Sequence, residues 1–72
     1  MNNADRKNLR RSKWTAVEPI DREKHFVAVG IATEKGEETQ VHLQAVLSGR
    51  VYCVPLSALR NGDNWRRGWH SN

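Results

Sequence analysis

The sequence predicts a mainly β domain, built on a small, strongly bent antiparallel sheet of four strands or at most five, with a short C-terminal helix. Three observations predict it. Residues 25–33, HFVAVGIAT, are β-branched and apolar on both faces, as a central strand covered on both sides requires. In residues 39–47, Thr39, Val41, Leu43, Ala45 and Leu47 alternate with Gln40, His42 and Gln44, and Val46 is the one exception. One face of that strand is therefore buried and the other wet. The turn segments EKGE (34–37) and SG (48–49) separate these runs from each other and from RVYCVP (50–55), which makes an antiparallel three-stranded meander.

The other elements follow in chain order. Residues 1–12, MNNADRKNLRRS, carry besides Met1 one large apolar side chain, Leu9, and read as a disordered basic arm, which leaves a single domain over residues 13–70. KWTAVEP (13–19) alternates as a short first strand that Pro19 stops. IDREKH (20–25) is a charged connection, and Gly30 marks a bulge that curls the sheet. In PLSALRNG (55–62), Pro55 suits a helix start, Leu56 and Leu59 share a face, and Asn61-Gly62 supplies the stop. Asp63 or Asn64 then caps a second short turn bearing Trp65, which Gly68 ends. A sheet this small cannot bury both faces while flat, so it should close toward an SH3-like open barrel. The alternative is a flat three-stranded sheet with the C-terminal helix laid across it.

Seventy-two residues make one domain near the lower limit of independent folding, where every large side chain matters. Each tryptophan buries about 150–250 Å² when packed, a large share for so small a core. The core is expected to comprise Trp14, Phe26, Val29, Ile31, Val41, Leu43, Ala45, Leu47, Val51, Cys53, Leu56, Leu59 and Trp65. The single cysteine leaves no internal disulfide, no run reaches the roughly 20 apolar residues of a membrane span, and no charged-then-apolar leader opens the chain. A cytoplasmic monomer without a membrane partner is the expectation.

The charge is unevenly placed. Residues 1–13 hold Arg6, Lys7, Arg10, Arg11 and Lys13 against Asp5 alone, a surplus that equals the whole net charge of +4. The remainder is neutral, with seven cations and seven acids. Such an arm is drawn to phosphate or to an acidic protein surface, or is a solubilising terminus. Deleting residues 1–12 should then hardly change stability. The other candidate is DNWRRGW (63–69), where Arg66 and Arg67 offer guanidinium groups beside the indole of Trp69, the pairing used to hold single-stranded nucleic acid. The same stretch also suits a core lid, with Trp65 inward and the arginines outward.

Catalytic and metal chemistry find little support. His25, His42, His70 and Cys53 show no ligand spacing, the glycines are isolated, and the carboxylates sit beside lysines in turns and connections. No enzyme activity, metal or cofactor is expected. SKWTAVEP (12–19), EKHF (23–26), LQAVLSGRVY (43–52), and Trp65 followed by Gly68-Trp69 resemble the bacterial tryptophan-rich conserved hypothetical proteins, a domain of unknown function. The resemblance runs over about residues 9–70 and implies no catalytic residue or cofactor. This chain departs from it at Pro55-Leu56, where many relatives have a further tryptophan, and before the last tryptophan, where theirs is more acidic. The function expected is a small non-enzymatic binding module for RNA or a ribonucleoprotein, acting through Arg6, Lys7, Arg10, Arg11, Lys13, Arg66, Arg67 and Trp69. The alternative is a module that docks an unidentified protein through a sheet edge or the Trp69 region.

Overall fold

The computed structural model describes residues 9–33 and 36–71. Five strands, β1 (Lys13–Ile20), β2 (Glu23–Ala32), β3 (Gln40–Ala45), β4 (Val51–Pro55) and β5 (Trp65–Arg67), form one antiparallel sheet in the order β4-β3-β2-β1-β5, and a single helical turn, α1 (Leu56–Leu59), joins β4 to β5. The sheet is not closed; β4 and β5 are its edges. It is nevertheless bent. Phe26, on the middle strand, meets Tyr52 of one edge at 5.7 Å between ring centroids and Trp65 of the other at 5.4 Å, both edge-to-face. Both edges thus turn over the same face and enclose the core, which includes Trp14, Phe26, Ala28, Val41, Leu43, Ala45, Val54, Leu56, Leu59 and Trp65.

One turn, one irregular stretch and one bulge set the curvature. Asp21 and Arg22 join β1 to β2 with φ of 50° and 68°, the positive values of a two-residue type I′ hairpin, so the expected charged connection shrinks to two residues. Pro19 does not end β1. It lies in an irregular stretch between the Thr15 and Ile20 pairings, where its missing N–H is not required by the ladder. In β2 the register shifts between Ala28 and Gly30, the bulge expected at this glycine. A Cβ on Gly30 would approach His42 Nδ1 to 3.2 Å, so the neighbouring strand also needs the space.

Four residues assigned to the core lie outside it. Val29 is thrown outward by the bulge. Leu47, 90 % exposed, belongs to the β3–β4 turn, because β3 ends at Ala45 and the chain reverses through Gly49 N–H to Ala45 O and Ala45 N–H to Arg50 O. Val51 and Cys53 face outward, since Leu43 pairs with Tyr52 and Val41 with Val54, and those partners take the inner face. Ile31 is partly buried against the core. The segment around Trp65 is a strand and not a second helical turn: Ala16 pairs with Trp65 and Thr15 with Arg66, and β-ladder bonds replace the intrahelical ones.

The domain also begins earlier than residue 13. Leu9 is fully buried, Arg11 N–H bonds Ala28 O at 2.8 Å, and Ala28 N–H bonds Ser12 O at 2.9 Å, so residues 11 and 12 extend the β1–β2 ladder. Ser12 is buried as a relay. Its hydroxyl accepts from the indole N–H of Trp14 at 2.7 Å and donates to the carbonyl of Leu9. The expected disordered arm is therefore corrected at residues 9–12, while its first eight residues lie outside those described. At the other end, α1 starts without a side-chain cap from Pro55 but receives Glu38 from the β2–β3 connection, whose carboxylate accepts from Ser57 N–H at 3.0 Å.

Leu43 and Leu47 test the assignment of faces. Leu43→Ala removes a fully buried side chain and should destabilise the domain by about 2–5 kcal/mol. Leu47→Ala should stay within about 0.5 kcal/mol of the parent. Denaturant melts of the two variants check both, and equal losses would contradict the fold described.

Candidate functional site

The outer face of β1 carries the chemistry. Alternation from the buried Trp14 and Ala16 turns Lys13, Thr15 and Val17 outward. Register places Val27 beside Lys13, and both His25 and Arg66 beside Thr15. After β5 the chain folds back over this face. Gly68, at φ 89°, donates its N–H to Lys13 O at 2.6 Å and takes a conformation that L side chains rarely adopt, which reverses the direction of the chain.

The returning segment is pinned by specific groups. Thr15 Oγ1 donates to Gly68 O at 2.7 Å and accepts from His70 N–H at 2.9 Å, using both roles of one hydroxyl. His25 Nε2 donates to His70 O at 2.9 Å, and His70 Nε2 donates to Arg67 O at 2.7 Å. Carbonyl partners assign the proton of each ring to Nε2. Trp69 Nε1–H donates to Phe26 O at 3.1 Å. Its ring lies 6.1 Å from that of His25 with Lys13 Nζ 4.6 Å from its centroid, and 43 % of the residue stays exposed. A large apolar ring is thus fixed in orientation and yet open to solvent.

Two grooves flank Trp69 along β1. One, of about 90 Å³, is lined by Thr15, Val17, Arg66, His70 and Ser71. The other, of about 290 Å³, lies between Arg10-Arg11 and Val27–Val29. Neither lining includes a carboxylate. Several acids are engaged elsewhere. Glu38 holds the start of α1, where hydrogen bonds from Ser57 keep its pKa below the ordinary value. Glu23 is buried near the β3–β4 turn. The Ser48 hydroxyl lowers its pKa, against the opposing effect of burial, with help from the Tyr52 hydroxyl, the charge of Arg50 and the Ser48 backbone. Tyr52 donates to Glu23 at 2.9 Å and to Asp21 at 3.3 Å. The bond to Glu23, followed by burial, raises its own pKa.

The structure therefore brings together Arg10, Arg11, Lys13, Arg66 and Trp69 of the residues singled out from sequence. Arg67 is corrected. It pairs with Trp14 on the inner side, its Cζ 5.6 Å from the indole centroid, half-buried and not on a rim with Arg66. Arg6 and Lys7 lie outside the described residues. Thr15 is not singled out by the sequence, although the alternation from Trp14 already puts it beside Lys13, and His25 and His70 stand there only as metal candidates without ligand spacing. Among the described residues no group of three or more His, Cys, Asp or Glu is placed to hold a metal ion, and no helix is long and apolar enough to cross a membrane.

Residues 12–70 match the model of the family described as Tryptophan-rich protein (DUF2389), and the chain belongs to this family of unknown function. No curated protein and no solved structure matches it.

Two outcomes test the geometry. Thr15→Val keeps the shape of the side chain but removes both of its hydrogen bonds, so it should cost about 1–3 kcal/mol and raise the quenching of Trp69 fluorescence by acrylamide. Because the Glu23 carboxyl is held below its ordinary pKa, its stabilisation is complete above the unfolded-state value and is lost as pH falls through the folded one. Melting temperatures recorded from about pH 7 to about pH 3 should fall at the acid end, and Glu23→Gln should flatten part of that fall.

Proposed function

Within a family to which no activity is assigned, we propose that this chain is a small non-enzymatic module that binds nucleic acid, alone or within a ribonucleoprotein, through the outer face of β1. The observation that carries the reading is Trp69, an indole fixed in orientation, nearly half exposed, and set between two grooves that hold Arg66 on one side and Arg10-Arg11 on the other. Cations that replace counterions along a phosphate backbone supply affinity regardless of sequence. An exposed aromatic plane adds stacking, which every base can satisfy. Lys13 belongs to both parts, since its ammonium lies on the indole and within reach of a phosphate that approaches it.

A second reading is favoured by other residues. β4 has β3 on one side and no strand on the other, and Val46, Leu47 and Val51 are exposed in or beside its turn. That edge suits a protein partner that adds a strand. The salt dependence of binding separates the two. Nucleic-acid binding should weaken steeply with salt, by a slope of about −0.7 for each phosphate contact on a single strand. Trp69→Ala should lower affinity with little change in slope, because stacking involves no counterion. The truncation that tests the basic arm is removal of residues 1–8. Deleting residues 1–12 also takes away buried Leu9 and Ser12, and it should lower the melting temperature whether or not the arm binds. Oligonucleotide titrations at several salt concentrations provide the measurement. No binding at low salt to any single-stranded or duplex oligonucleotide would leave the protein-docking reading in its place.

A further inference from the structure

The order of groups along β1 says more about the ligand. From Val17 toward the N-terminus the outer face presents, in turn, the groove with Arg66, His70 and Ser71, then Trp69 beside Lys13, then the groove with Arg10 and Arg11. We infer that this line is a track for single-stranded nucleic acid, with one unpaired base on Trp69 and backbone phosphates in the two grooves. The inference rests on the nucleic-acid reading above and narrows it to a strandedness and a footprint.

Strandedness follows from the indole. Its N–H is committed to the Phe26 carbonyl, and the segment that carries it is tied down by Thr15 and His25, so Trp69 cannot swing out to probe a groove of a duplex. It presents a partly exposed ring at the protein surface with Lys13 Nζ over it at 4.6 Å, and a base that stacks there displaces that ammonium toward a neighbouring phosphate. In an intact helix the planes of the bases are covered by their neighbours, and only an unstacked base lays its face on such a ring. The grooves then meet the backbone on either side of that base. Arg66 is exposed, and among the described residues no hydrogen bond or ion pair occupies its side chain; Ser71, exposed in the same groove, adds a hydroxyl donor. In the opposite groove Arg10 and Arg11 are both exposed, and Arg11 is held to the sheet by its backbone bond to Ala28.

Footprint follows from length. Thr15 in one groove and Arg11 in the other are separated by roughly 13 Å at about 3.3 Å per strand residue. A nucleic-acid strand that rises about 3.4 Å per nucleotide places roughly four nucleotides in that distance, and fewer when it is extended. The site should therefore be saturated by a short oligomer.

The test titrates the full chain with labelled homo-oligomers of about two, four and eight nucleotides, as RNA and as DNA, beside a duplex and an oligomer of equal length that is abasic throughout. On this inference affinity rises up to about four nucleotides and then levels off apart from the statistical gain of overlapping sites. The duplex and the abasic strand should bind at least about tenfold more weakly. Trp69→Ala should reduce single-strand affinity by about 5- to 160-fold, the loss of one stacked base. Arg66→Ala and Arg11→Ala should each reduce the salt slope by about 0.7. A duplex or abasic strand that binds as tightly as the intact single strand overturns the inference while leaving a cationic nucleic-acid surface standing. Affinity that rises between four and eight nucleotides by more than that statistical gain overturns the footprint. Absence of binding to every oligomer at low salt overturns both this inference and the reading beneath it.

Discussion

Burial of Trp14 organises both ends of the chain around β1. Its ring is fully enclosed, and a buried indole N–H without an acceptor would carry a desolvation penalty. Ser12 removes that penalty, and in doing so fixes the chain before β1, because the same hydroxyl donates to the Leu9 carbonyl. Leu9 is thereby drawn into the core beside the sheet. On its two flanks Trp14 pairs with Phe26 of β2 and Arg67 of β5, so one residue sets the register of three strands and receives a guanidinium over its ring.

The outer site is the other side of the same constraint. With Trp14 and Ala16 inward, Lys13 and Thr15 must face outward, and pairing with β5 delivers Gly68 to the Lys13 carbonyl. The positive φ of Gly68 then returns the chain across β1, where Thr15 and His25 hold it and Trp69 settles above the Phe26 carbonyl. Core and candidate site therefore share one strand. A change that loosens β5 should therefore disturb Trp69 as well as the buried Trp65.

Strand pairing, and not hydrophobicity, selects the buried face of β4. RVYCVP is apolar at almost every position, so hydrophobicity alone does not choose between Val51-Cys53 and Tyr52-Val54 for the core. Pairing does choose. In an antiparallel hairpin joined by an even number of residues, inward odd positions on one strand face inward even positions on the next. A two-residue turn at Ser48-Gly49 and the observed turn over residues 46–49 give the same answer: with Leu43 inward, Tyr52 and Val54 follow. That signal was present in the sequence. The length of the turn was not, and it alone placed Leu47 in solvent.

The local and periodic part of this protein is legible in the order of its residues. The alternation around Leu43, the punctuation by glycine, the bulge at Gly30 and the single turn of helix at Leu56–Leu59 all rest on steric preferences and burial periods that neighbouring residues set for one another. The family membership of residues 12–70 was legible for a related reason, since its tryptophans and their spacing stand in the chain itself. The remaining choices depended on distant partners. WRR became a strand because β1 offered a free edge, Leu9 entered the core because Trp14 needed the serine that precedes it, and Arg66 and Arg67 were sent to opposite faces by that same pairing. Short segments carry too few local interactions to choose among such states, and contacts some fifty residues away made the choice.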